Sequence, residues 1–149
     1  YMPDTELTAF PTPRTWEYVS TILKNETLDD STRDILIQGA IGIPTYTEFS
    51  AFIELQNKLP RIEDVLNGRV DINTISEPDV LYSVITSLVS YVYTKPEVLE
   101  RVVELLTSLH RIEFAALGLK DLKRLGFWQR MTKIDSLKTF ANKHASLFV

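Results

Sequence analysis

An all-helical fold, a bundle of about seven to nine helices, is what this sequence predicts, on three observations. At Ser31/Asp34, Thr45/Glu48, Ser76/Asp79 and Thr94/Glu97 a serine or threonine is followed three residues later by an acid. Behind each lies a run of apolar residues at helical spacing. Glycine or proline closes nearly every such run.

The elements follow in order. Residues 1–11 read as an irregular lead-in, with Pro3, Pro11 and Pro13 close together. Thr12 is a plausible N-cap and Pro13 then takes the first helical position, where its missing N–H costs nothing. The helix that follows is expected to bury Trp16, Val19 and Leu23, with Trp16 as a core anchor. Ser31/Asp34 is expected to open a helix that Gly42 and Pro44 end. Thr45/Glu48 opens one that Pro60 ends, and Gly68 closes a short helix holding Ile62, Val65 and Leu66. Residues 69–75 read as a loop or a short extended piece.

Ser76/Asp79 begins the clearest stripe: Val80, Leu81, Val84, Ile85, Leu88 and Val92 share one helical face. Thr94/Glu97 begins the next, with Val98, Leu99, Val102, Leu105, Leu106 and Leu109. Ile112, Ala115, Leu119, Leu122 and Leu125 form a further stripe ending at Gly126. A last helix from about Asp135 turns Leu137, Phe140 and Ala141 inward. The Gly68–Ser76 loop is the expected boundary between two helical lobes, residues 12–67 and 76–149, packed as one unit.

Composition narrows the chemistry. The 149 residues contain no cysteine, which excludes disulfides, thiolate zinc sites and cysteine nucleophiles. The two histidines, His110 and His144, are far apart in sequence, so no dedicated metal cage is expected. No apolar run reaches the ~18 residues of a membrane span. No secretory signal is visible at the start, which makes the cytoplasm the expected location. Charge is uneven: residues 1–117 hold 9 Lys+Arg against 18 Asp+Glu, and residues 118–149 hold 7 against 2. Lys120, Lys123, Arg124, Arg130 and Lys133 are the residues a nucleic-acid binder would use, but the overall charge of −4 opposes that role.

Catalytic signatures are missing: no phosphate-cradling glycine loop, no dinucleotide fingerprint, no zinc-protease helix and no nucleophile elbow. The paired acids Asp29/Asp30 and Glu63/Asp64 lie near helix starts, where they complement the dipole. His110 and Glu113, three apart, read as a surface pair. One residue stands out against the helix electrostatics. Arg14 falls in the first turn of its helix, where a cation is disfavoured by about 0.3–1 kcal/mol. A bound anion such as phosphate reverses that sign, because helix dipole, N–H groups and guanidinium then converge on it. Pairing with Glu17, Asp4 or Glu6 is the structural alternative.

Phe10 to Ser20, reading FPTPRTWEYVS, resembles the start of the helical lid of MoxR-like AAA+ ATPases. The similarity continues through Ile37-Gln38-Gly39-Ala40-Ile41-Gly42, then Glu48-Phe49, Ala51-Phe52 and Leu59-Pro60, as far as the Ile62–Gly68 turn. It covers roughly residues 8–90 and does not assign residues 95–149. The resemblance implies an AAA+ lid-like first half followed by a helical extension. It also implies that Arg14 is the sensor-2 arginine, which contacts the γ-phosphate of ATP held by a neighbouring core domain. ATP with Mg is the cofactor expected in the full-length protein, with none bound stably by these residues alone. The expected partners are the ATPase core domain, adjacent subunits of a ring and a client protein that is remodelled.

The Walker A loop, Walker B acids and arginine finger of that family do not occur in these 149 residues, so they carry no complete active site. With the abrupt start at Tyr1-Met2, the expectation is a C-terminal piece of a longer ATPase. The competing expectation is a stand-alone helical adaptor that binds a protein partner.

Overall fold

A computed structural model describes residues 9–144. Among them the chain forms nine α-helices, two 3-10 turns and no strand. The helices are α1 (Pro13–Leu23), α2 (Asp30–Ile41), α3 (Ile43–Lys58), α4 (Ile62–Leu66), α5 (Pro78–Thr94), α6 (Leu99–Thr107), α7 (Ile112–Arg124), α8 (Trp128–Met131) and α9 (Asp135–Lys143). The fold is all-α, and no described helix is long and apolar enough to cross a membrane.

The chain divides into two compact units, Tyr1–Asn57 and Lys58–Val149. In the first, Val19 of α1 and Ile37 and Ile41 of α2 are buried, with Ile22, Ala40, Tyr46 and Phe49 packed against them. Trp16 is not the expected core anchor. It remains 37% exposed and meets Phe49 edge-on, with ring centroids 5.2 Å apart. Leu23 is likewise 42% exposed. Among the described residues this core holds three buried side chains, too few to cover every apolar side chain of α1, and Val19 and Ile22 take the inward positions.

In the second unit α5 is the spine, packing on α4, α6 and α7, while α9 and α8 pack on α6. Its stripe is buried as its spacing predicts: Val80, Leu81, Val84, Ile85, Leu88 and Val92. Val65 of α4 belongs to this larger core, and the Gly68–Ser76 segment lies within the second unit. That segment contains a 3-10 turn, Ile72–Thr74, rather than extended chain. Leu125 falls outside α7 and is 44% exposed, because the helix has closed at Arg124.

The helix starts differ from the four expected capping pairs, each for a local reason. The Asp29 carboxylate accepts from Thr32 N at 2.9 Å, so Asp29, two residues before Ser31, caps α2. Gly42 ends α2 with φ +82°, a conformation other residues rarely adopt, and its carbonyl accepts from Tyr46 N at 2.9 Å. Ile43 therefore opens α3 at once, Pro44 lies in its first turn instead of ending a helix, and Thr45 is internal. Pro78 takes the first position of α5, which makes Glu77 the cap in place of Ser76. Thr94 is the last residue of α5. Pro96 pushes Lys95 out of the helical region (φ −133°, ψ 80°), so the chain breaks before α6.

Three arginines and one asparagine tie the second unit together across long stretches of sequence. Arg101 Nε donates to Leu66 O at 2.9 Å, Arg111 Nη2 to Ser76 O at 2.8 Å and Arg130 Nη2 to Pro96 O at 2.8 Å. Asn73 Oδ1 accepts from His110 N at 2.9 Å. Leu66 O, Ser76 O and His110 N thereby gain partners from outside any helix ladder, and Pro96 O, which already accepts from Leu99 N, gains a second donor.

Candidate functional site

The start of α1 is built as the sequence predicts. Thr12 adopts an extended backbone (φ −129°, ψ 162°), and its Oγ1 accepts from Thr15 N at 3.1 Å. Thr15 returns the bond: its Oγ1 accepts from Thr12 N at 2.8 Å. Here a threonine performs the reciprocal role usually filled by an acid, so α1 has no carboxylate in its first turn.

This cap decides which donors remain. Pro13 has no N–H, Thr15 N is held by Thr12, and Trp16 N donates to Thr12 O at 3.1 Å. Among the described residues the backbone N–H left over at this end is that of Arg14. The sequence pictured several free N–H groups here; the cap reduces them to one. The anion-binding capacity of the site therefore rests on the Arg14 side chain, its own N–H and the helix dipole.

Arg14 is exposed and makes no ion pair among the described residues. Glu17 is not its partner. Instead Arg14 Nε donates to the Tyr18 hydroxyl at 3.2 Å, one helical turn along. Asp4 and Glu6 lie outside the described residues.

The other sequence candidates serve the fold. Asp29 caps α2, and Asp30 pairs with Arg33 at 2.6 Å. Glu63 accepts from the Tyr91 hydroxyl at 3.2 Å, and that hydroxyl accepts from Lys95 Nζ at 2.7 Å. The Glu63 carboxyl is held below its ordinary range, first by its own backbone N–H and then by Tyr91. Lys95 is held above its ordinary value, chiefly by its bond to Tyr91. Asp64 pairs with Arg69 at 3.0 Å. His110 lies in the loop before α7 rather than on the helix with Glu113, and no hydrogen bond joins the two.

The basic residues near the end of the chain are largely committed to it. Arg124 pairs with Asp121 at 3.2 Å, Arg130 holds Pro96 O, and Lys123 lies over the Trp128 ring, 5.0 Å from its centroid. A phosphate backbone would compete with these internal contacts.

Packing of α9 on α6 places His110 and His144 in the walls of one open groove of about 710 Å³. Glu104 and Lys143 lie at the same groove, and Ser136 Oγ there is buried without a hydrogen-bond partner. Their separation in sequence gave no signal of this meeting. Among the described residues no group of three His, Asp or Glu side chains is placed to hold a metal ion.

No family model, curated protein or solved structure matches the chain.

Proposed function

We propose that this chain is the nucleotide-sensing lid region of a MoxR-like AAA+ ATPase, with Arg14 as the sensor-2 arginine. The observation that carries the reading is the Arg14 guanidinium in the first turn of α1, a turn without any acid, where among the described residues it meets no carboxylate and bonds only the neutral Tyr18 hydroxyl. Such an arrangement is electrostatically unfavourable until an anion arrives. The resemblance of Phe10–Ser20 to the start of such a lid supplies the identity of the anion, the γ-phosphate of ATP.

On this reading the nucleotide, with its Mg, is bound by an ATPase core domain, and the phosphate-binding loop and metal-holding acids belong to that core. Arg14 bridges lid and core while the γ-phosphate is present. Loss of that phosphate removes the bridge and shifts the lid between two positions, and neighbouring ring subunits pass the motion to a client protein. On this reading the lid catalyses nothing alone. It reports which nucleotide is bound.

The test is Arg14→Ala in the polypeptide that carries both core and lid. The expected result is an intact fold and ATP turnover reduced by roughly tenfold or more. Unchanged turnover overturns the sensor role.

A second reading, a stand-alone helical adaptor, is favoured by one observation. The first unit leaves Phe10, Trp16, Leu23, Ile35, Ile43 and Phe52 exposed, a supply of apolar side chains that a partner could cover. The mass of the native gene product separates the two. A band far above 17.1 kDa supports the lid, and one near that mass supports the adaptor.

A further inference from the structure

We infer that Tyr18 is a positioning residue for Arg14: its hydroxyl engages the Nε–H and leaves the terminal guanidinium nitrogens to bind phosphate. The inference rests on the proposed role of Arg14 as a phosphate contact and adds to it the residue that prepares the side chain.

A guanidinium carries five N–H donors, one on Nε and four on the terminal nitrogens. Phosphate is bound bidentately either through Nε and one terminal nitrogen or through the terminal pair. The 3.2 Å bond from Nε to Tyr18 Oη occupies the first of these edges. Only the terminal pair is then open.

The contact also limits the rotamers of a long, exposed side chain. An arginine that enters the bound geometry unaided loses that freedom on binding, and a preformed contact reduces the loss. Tyr18 is suited to the task because among the described residues nothing else holds its hydroxyl: the residue is 50% exposed, and Arg14 is its hydrogen-bond partner. Residues 14 and 18 are four apart, so α1 itself fixes their spacing.

The test is a titration of the 149-residue protein with inorganic pyrophosphate, followed by nuclear magnetic resonance of the α1 amides and the arginine side chains. Wild type, Arg14→Ala, Tyr18→Phe, Arg14→Lys and the Arg14→Lys/Tyr18→Phe double variant are compared. Tyr18→Phe keeps the ring and removes the hydroxyl at an exposed position. We expect Arg14→Ala to abolish the pyrophosphate-dependent shifts and Tyr18→Phe to weaken binding about twofold. In the Arg14→Lys background Tyr18→Phe should cause no further weakening, because lysine has no second edge to present.

Wild-type affinity in Tyr18→Phe, with binding abolished by Arg14→Ala, overturns the role of Tyr18 and leaves that of Arg14 standing. Equal weakening by Tyr18→Phe in both backgrounds also overturns it, since the hydroxyl would then act without the guanidinium. Pyrophosphate shifts that survive Arg14→Ala overturn both readings.

Discussion

Gly118 and Gly39 are both glycines inside helices, and alanine should act on them with opposite sign. A Cβ at Gly118 would lie 2.8 Å from Leu106 Cδ2 and 2.9 Å from Ile85 Cγ2, inside the core of the second unit. The missing side chain is what lets α7 approach α5 and α6. Gly118→Ala should destabilise by about 1–2 kcal/mol despite alanine's better helix propensity. A Cβ at Gly39 would meet nothing within 4 Å. Gly39→Ala should therefore stabilise, by up to about 1 kcal/mol. Urea unfolding of the two variants checks both signs.

Arg14 shows where reading the sequence stops at this scale. Its place in the first turn follows from Thr12 and Pro13 alone. Its partner does not, because Glu17 and Tyr18 are both one turn away and a flexible side chain reaches either. Trp16 failed for another reason: helical spacing says which residues share a face, not whether the neighbouring helices are large enough to cover it.

At the scale of the helix, the start of α2 has a pH signature. Thr32 donates to the Asp29 carboxylate from both its backbone N–H and its hydroxyl, at 2.9 and 2.7 Å, and these bonds hold the carboxyl below its ordinary 3.8. A depressed folded-state value means that Asp29 stabilises the fold fully above about pH 3.8. That contribution is lost as pH falls through the lower folded value. Asp29→Asn, which keeps an N-cap acceptor without the titration, should leave α2 intact at neutral pH and flatten this part of the acid-unfolding profile. Circular dichroism against pH from 6 down to about 2 measures it.

The same helix explains why core stripes were legible and starts were not. The α5 stripe is buried as its periodicity predicts because burial of seven residues on one face admits a single phase. A helix start is a contest among adjacent residues, each worth about 1 kcal/mol. Asp29 displaces Ser31, and Pro78 fixes Glu77 as the cap, through geometry that a four-residue signature does not contain. The short α8 escaped notice because four residues show no period.

Over the whole molecule, the two units differ in what holds them. Among the described residues the first has a buried core of three side chains and the second one of nineteen. Hydrophobic stabilisation follows buried apolar area, so the first unit should open at lower free energy. Amide hydrogen exchange should be faster through α1–α3 than through α5, α6 and α7. Equal protection in both would show that the first unit draws its stability from elsewhere. A loosely held first unit agrees with the proposed function, because an element that changes position with the nucleotide belongs at the low end of the stability range.

Gly42 has a mechanical consequence. One residue separates the end of α2 from the start of α3, and it is bonded on both sides, donating to Gln38 O and accepting from Tyr46 N, each at 2.9 Å. Each helix ladder ends on this one residue, so a change in the angle between α2 and α3 falls on the two backbone dihedrals of Gly42, and lengthening the joint by one residue would add two more.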